Sequence, residues 1–309
     1  MPGARPVKPR DGDYGREGRA PWLDVDWQAA QHRIEIDGRE VNYCELGEGP
    51  AILFVHGLGA SWQSWLEQMP EFAASHRVVA MDLPGFGYSE MPGEDISIEY
   101  YARWMAEFMD VLGIESAVVV GNSMGGFISA ELAIKSPARV QRLVFVSAAI
   151  FWQNRRRAQP LVQLAKLSDA VVARALVRAT DDIATRRRLR YAALASAGFR
   201  YPQYVSDELA HEMVRSARRT DGFLPALEAL AGYDLEEELP KISCPTLIVW
   251  GANDQLVSVK DAERLEDLIP DSRREVFERT GHVAMLERPE RFNRLLEEFL
   301  AEERELAAR

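Results

Sequence analysis

The sequence is poor in the residues that build metal centres and disulfide frameworks. Its two cysteines, Cys44 and Cys244, are far apart and outside any CxxC pattern. That excludes a cysteine-stapled fold and a thiolate zinc site, and no metal is expected. Such sparse cysteine use fits a reducing cytoplasm, the expected location. Histidine is scarce too, with five in 309 residues, so imidazole chemistry has few residues to draw on. No apolar run approaches the ~18 residues that could span a bilayer. The longest, "LVFVSAAIF" at 143–151, reads as a buried strand and its exit. Basic residues are outnumbered, 37 Lys+Arg against 48 Asp+Glu, for a net charge of -11. That balance argues against general nucleic-acid binding. Residues 1–22 are basic and rich in Pro and Gly, without the apolar segment of a signal peptide. They are expected to form a flexible N-terminal arm.

What the chain does have is rhythm. "AILFV" (51–55), "RVVAMD" (77–82), "AVVVG" (117–121), "RLVFVS" (142–147), "TLIVW" (246–250) and "REVFE" (274–278) are short apolar runs. Helical patterns such as "IEYYARWMAEFMDVLG" and "GGFISAELAIKSPARV" separate several of them. Continuous Val/Ile/Leu runs suit strands covered on both faces. Their alternation with helices predicts an α/β fold with a doubly wound, mostly parallel sheet. "EIDGREVNYCELG" (35–47) predicts an antiparallel hairpin ahead of it, with Asp37-Gly38 at the turn.

The rhythm breaks once, between "RLVFVS" and "TLIVW". That stretch has no convincing strand and several helical patterns, including "PLVQLAKLSDAVVARALVRAT", "DDIATRRRLRYAALA", "SDELAHEMVRSAR" and "GFLPALEALAGY". The expected organisation is a core of 23–148 and 241–309 with a helical cap inserted at 149–240. Residues 151–220 hold fourteen Lys+Arg and six Asp+Glu, a net of +8 within an acidic chain. A basic cover could face an anionic substrate or a membrane surface, or be an ordinary solvated helix face.

The chemistry centres on "VVVGNSMGGF" (118–127). "GNSMG" matches G-x-S-x-G, and its context is a strand, a sharp turn and a helix. A serine in so tight a turn is pushed into a strained backbone with its hydroxyl exposed above the sheet. The helix that follows points N–H groups at negative charge developing there. Ser123 is therefore the candidate nucleophile. It needs a base. His32 lies early in the chain, His76 between a helix and a strand, and His211 in the insertion, where it could at most touch substrate. His282, in "ERTGHVAMLERPERF", follows the last predicted strand at the same sheet edge as Ser123. It is the candidate base, with a packing or capping role as its alternative. An imidazole needs a carboxylate to fix its tautomer. Asp254, just past the strand "TLIVW", supplies one unless it only bonds its own turn. The order Ser123, Asp254, His282 is the one expected for this type of triad. The oxyanion needs donors already in place. The Met124 N–H and, from "HGLGAS", the Leu58 N–H are the candidates, with His56 supporting that loop.

Taken together, "FVHGLGASWQSW", "MDLPGFGYSE", "VVVGNSMGGF", "LIVWGANDQLV" and "TGHVAMLERPERF" resemble the motifs of the α/β-hydrolase fold superfamily in the right order. The resemblance covers roughly residues 35 to 305 apart from the insertion, where such proteins carry a variable cap. It implies no metal and no organic cofactor, and makes the loop "DLPGFGYS", with Asp82, structural.

Haloalkane dehalogenases and epoxide hydrolases of that superfamily attack with an aspartate. Ser123 would form a stable ether with their substrates, so acyl transfer to water is expected instead. The leading expectation is a carboxylesterase with an apolar acyl pocket, cleaving small-molecule esters of hydrophobic acyl or aryl groups through an acyl-enzyme. The elbow also resembles carbon–carbon bond hydrolases of aromatic catabolism, but "HGLGAS" replaces a run of three glycines and a proline. Val283 stands where that family usually has tryptophan. A lactonase, a thioesterase, a slow ligand receptor and a membrane-surface lipase remain as alternatives. Trp62, Trp152 and Val283 are candidate pocket residues; Trp62 and Trp152, like Trp65, Phe151, Tyr191, Phe199, Tyr201 and Tyr204, could line the pocket or simply pack.

Overall fold

A computed structural model of the chain describes residues 12–151, 186–216 and 220–302. Within them the apolar runs form one eight-stranded sheet in the order β1-β2-β4-β3-β5-β6-β7-β8. β1 (Gln31–Ile36) and β2 (Arg39–Leu46) make the antiparallel hairpin. Asp37 and Gly38 turn it with φ of 51° and 69°, the two positive values that a tight two-residue hairpin loop requires. β2 pairs antiparallel with β4 (Arg77–Met81). β3 (Ala51–Val55), β5 (Ala117–Asn122), β6 (Val140–Val146), β7 (Thr246–Gly251) and β8 (Ser272–Phe277) complete a parallel run.

The unbroken apolar runs have a simple cause. Alternate residues of a strand face opposite layers, and both layers are buried. Leu53, Val55, Val119, Phe145 and Ile248 join the core under the Ile98–Val111 and Met124–Lys135 helices. Ile52, Phe54, Val118, Val120, Leu247 and Val249 join the opposite core, with Trp65, Phe292, Leu296 and Phe299. β3 lies between β4 and β5, so the direction of strand progression reverses there. The crevice at the carboxyl ends of β3 and β5 is thus the topological switch point, where sheets of this type place their ligands.

Residues 12–22 correct the expectation of a flexible arm. Tyr14 is fully buried, and Trp22 is buried on a short turn, Pro21–Asp24. The Trp22 indole N–H donates to Glu67 Oε1 at 2.9 Å, and Arg16 pairs with Glu67 Oε2 at 2.7 Å. Composition marks this stretch as open chain, but its three anchoring side chains find partners dozens to hundreds of residues away.

Between β6 and β7 the described residues carry three α-helices: Arg187–Ser196, Asp207–Ser216 and Phe223–Gly232. The middle one lies against the Trp62–Trp65 turn. The last begins where the Gly222 N–H donates to the Gly85 carbonyl at 2.8 Å. Trp152 and the helical pattern at 160–180 lie outside the described residues. Among the described residues no helix is long and apolar enough to cross a membrane.

Candidate active site

Ser123 sits between β5 and the Met124–Lys135 helix with φ 55° and ψ -115°. That conformation is costly for a residue with a Cβ and persists only where surroundings impose it. The surroundings are visible. A Cβ on Gly121 would collide with the Gly125 carbonyl, and one on Gly125 with the carbonyl oxygens of Val55 and His56. Backbone therefore packs on backbone at the turn, and only glycine fits at both positions. From residue 117 to 133 every residue is buried except Ser123. Serine is a favoured helix cap, yet the Ser123 hydroxyl makes no capping bond here.

Asp254 and His282 meet past the ends of β7 and β8. Asn253 N–H donates to the Thr280 carbonyl at 2.8 Å, so the two exit loops run side by side. His282 Nδ1 lies 2.8 Å from Asp254 Oδ2. A carboxylate only accepts, so Nδ1 carries the proton and Nε2 is left as the acceptor. Both readings of Asp254 are present in one side chain. Its Oδ1 accepts from the N–H groups of Leu256 and Val257 at 2.8 and 2.9 Å, and this turn bonding holds Oδ2 toward the imidazole. Asn122, next to Ser123, ties the two halves together. Its Nδ2 donates to the Val146 carbonyl at 3.0 Å and to the His282 carbonyl at 3.4 Å.

The "HGLGAS" loop packs directly on the elbow. A Cβ on Gly57 would lie 3.1 Å from Ser123 Cβ. Met124 opens the helix, so its N–H has no intrahelical acceptor. Leu58 lies part-buried in the facing loop. His56 is fully buried. Its Nδ1 lies 2.7 Å from the Gly57 carbonyl, and its Nε2 accepts from the Leu83 N–H at 3.0 Å. Burial pushes its imidazole down to about 4. Asp82 accepts from the N–H groups of Trp62 and Tyr88 and from Asn42 Nδ2, at 2.9, 2.9 and 2.8 Å. Burial nevertheless pushes its carboxyl up to about 6.

The pocket candidates fare differently. Trp62 is 2% exposed and packs on Trp27 with ring centroids 5.0 Å apart. It packs in the core with Trp65 and Phe54, the packing role that is its alternative to a pocket wall. Trp65 stacks on Phe54 in that core, and Phe151 is buried beneath the Arg264 guanidinium. Tyr201 and Tyr204 pack edge-on against Tyr14. Val283 is buried beside His282, ahead of the short Ala284–Glu287 helix. Sequence reading passed over Phe223. Its ring lies 3.2 Å from where a Cβ on Gly59 would sit, beside the "HGLGAS" loop, and it is 39% exposed. A large apolar side chain left open next to the "HGLGAS" loop is its only signal, and that signal exists only in three dimensions. Among the described residues no group of three or more His, Cys, Asp or Glu could hold a metal ion.

Comparison with known proteins gives a consistent answer. Residues 50–289 match the family described as the alpha/beta hydrolase fold. The chain is 32% identical over 283 residues to 2-hydroxy-6-oxo-2,4-heptadienoate hydrolase of Pseudomonas putida, covering 86% of this chain and 94% of the relative. It is 30% identical over 258 residues to pimeloyl-[acyl-carrier protein] methyl ester esterase of Aeromonas hydrophila, covering 82% and 96%. It is 31% identical over 301 residues to the dihydrolipoyllysine-residue acetyltransferase component of the acetoin cleaving system of Cupriavidus necator, covering 90% and 71%. The family match and the two hydrolase relatives support an enzyme of hydrolase type. By the extent of the family match and the sheet that carries it, this chain belongs to the α/β-hydrolase fold family.

Proposed function

We propose that the protein is a serine hydrolase that cleaves carboxylic esters of hydrophobic acyl or aryl groups through an acyl-enzyme. The observation that carries this reading is a half-buried serine in a strained turn, its hydroxyl unused as a cap, whose neighbour Asn122 bonds the backbone of an aspartate-paired histidine. In this mechanism His282 Nε2 takes the Ser123 proton as Oγ attacks the ester carbonyl. Asp254 holds the tautomer that makes Nε2 the acceptor and stabilises the imidazolium. The N–H groups of Met124 and Leu58 hold the oxyanion. Collapse expels the alcohol, which takes the proton back from His282. Water then repeats the sequence on the acyl-enzyme and frees the acid. No step needs a cofactor.

The ester esterase relative supports ester chemistry, and the open Phe223 ring supports an apolar acyl side. A second reading is hydrolysis of a carbon–carbon bond in a dienoate. The Pseudomonas relative, similar along nearly its whole length, favours it. "HGLGAS" and Val283 count against it.

The test is hydrolysis of p-nitrophenyl esters from acetate to palmitate by the wild type and by Ser123→Ala. Turnover should fall by a factor on the order of 10⁴ to 10⁶ in the mutant, because the triad acts as a unit. An active Ser123→Ala enzyme would exclude the mechanism. A folded wild type that spares every ester but cleaves 2-hydroxy-6-oxo-2,4-heptadienoate would establish the second reading.

A further inference from the structure

Glu287 is fully buried five residues after His282, on the Ala284–Glu287 turn. A buried carboxylate is costly unless donors surround it, and here they do. Its Oε1 accepts the Gly281 N–H at 2.9 Å, and its Oε2 accepts the Arg200 N–H at 2.8 Å and the Tyr14 hydroxyl. Burial raises its pKa; hydrogen bonds from Tyr14 and from the N–H groups of Arg200, Gly281 and Val283 act in the other direction, toward the ionised form. Gly281 and Val283 flank His282. The N–H of His282 itself donates to the Gly198 carbonyl at 2.9 Å. A Cβ on Gly281 would collide with that same carbonyl, and one on Gly198 with His282 Cβ. The backbone around the imidazole is thus gripped on one side by Glu287 and on the other by the segment after the Arg187–Ser196 helix.

The N-terminal segment closes this arrangement. The Tyr14 hydroxyl donates to Glu287 and accepts the Tyr201 N–H at 2.8 Å, and the Gly15 N–H donates to the Glu287 carbonyl at 2.7 Å. Its neighbour Asp13 pairs with Arg288, whose Nε and Nη2 donate to Thr280 Oγ1 at 2.7 Å and to the Glu278 carbonyl at 2.8 Å. Adjacent side chains of opposite charge therefore hold the 278–283 loop, and each is completed by a residue from the chain's beginning.

We propose that Glu287, completed by the Tyr14 hydroxyl, is the positioning residue that sets His282 against Ser123, so that the N-terminal segment is part of the catalytic apparatus. This rests on the reading of His282 as the base. Neither residue touches substrate. They act by holding the imidazole, and small misplacements of a reacting group are expensive. A carboxylate suits the position because every group facing it donates. Glutamine would set an NH₂ against either the Gly281 N–H or the Arg200 N–H.

The experiment uses full-length Tyr14→Phe and Glu287→Gln, with Tyr233→Phe as control. Tyr233 donates to Glu131 at 3.0 Å and packs with the core that holds Leu53 and Val119, so it loses a side-chain bond to a carboxylate elsewhere in the molecule. Three quantities are read well below each Tm: the rate of fluorophosphonate labelling at Ser123, kcat and KM on the best ester, and the downfield proton resonance of the His282–Asp254 hydrogen bond. Tyr14→Phe should lower labelling and kcat on the order of 10-fold and Glu287→Gln on the order of 100-fold, with KM nearly unchanged. The resonance should shift or broaden in both, and the control should match the wild type. A lowered Tm with wild-type labelling, kcat and resonance would overturn the proposal and leave the two residues as stability elements only. If Glu287→Gln does not fold, Tyr14→Phe decides alone, since phenylalanine keeps the ring contacts with Tyr201 and Tyr204. If the wild type neither labels nor turns over, the hydrolase reading fails. The resonance then still reports whether Tyr14 and Glu287 position the imidazole.

Discussion

Single side chains in this protein are read best from what they leave unused. Ser123 declines the cap bond that its position offers, and Asp254 spends one oxygen on its own turn and the other on His282. Asp254→Asn should keep the fold yet lower ester turnover by a factor on the order of 10⁴. The amide no longer selects the tautomer with Nε2 as acceptor. Circular dichroism with ester kinetics checks both halves of that statement. His56 makes a different prediction. Burial holds its imidazole near 4 instead of the usual 6.5. Between those values the unfolded chain binds a proton that the folded chain refuses. Its contribution is therefore fully present above about 6.5 and is lost as pH falls toward 4, about 3 kcal/mol in all. Asp82 works in the opposite sense. Its carboxyl is raised from 3.8 to about 6, so acidification through 6 favours the folded form. His56→Gln removes only the first effect. Urea unfolding at pH 6.5 and pH 4 should show the variant losing less stability on acidification than the wild type, and an equal or greater loss would contradict the assignment.

At the scale of elements, the elbow and the "HGLGAS" loop form one unit. Gly125 allows the carbonyls of Val55 and His56 to lie against the start of the helix. Gly125→Ala should cost about 1–3 kcal/mol as an overpacking change and should slow fluorophosphonate labelling by moving the loop that carries Leu58. A stability loss without slower labelling would separate the two elements. Phe223, at the start of its helix, stands over the same loop. Phe223→Ala should reduce kcat/KM for long acyl chains by roughly 10- to 100-fold, the worth of apolar contacts in a pocket, and should spare acetate. A uniform loss across chain lengths would remove Phe223 from the acyl wall. The motifs made these elements legible. A β-branched run followed by "GNSMGG" describes a strand, a turn and a helix with little ambiguity. The aromatics of the insertion were not legible in the same way, because a ring at a helix end looks alike whether it meets substrate or Tyr14.

For the molecule as a whole, the N-terminal segment is the main surprise. Tyr14, Arg16 and Trp22 lock residues 13–22 across the face that carries Glu67, Glu287 and Arg288. Trp22→Ala removes a buried ring and leaves Glu67 with fewer donors. It should cost about 3–5 kcal/mol, read as a lowered Tm, and should open the segment to proteolysis ahead of the rest of the chain. A chain cut within residues 12–22 at the wild-type rate would show that Trp22 does not anchor it.

Local pattern alone determined the strands, the hairpin at Asp37-Gly38, the break between β6 and β7, and the position of Ser123 in its turn. Each follows from hydrophobic period or from backbone demands met within a few residues. Tertiary structure alone decided that Trp62 belongs to the core, that Phe223 stands open, and that the first described residues close on Glu287. Those outcomes depend on partners up to 273 residues apart. Composition and periodicity report how a residue suits its neighbours in the chain, and carry no information about which distant carboxylate a tyrosine will meet.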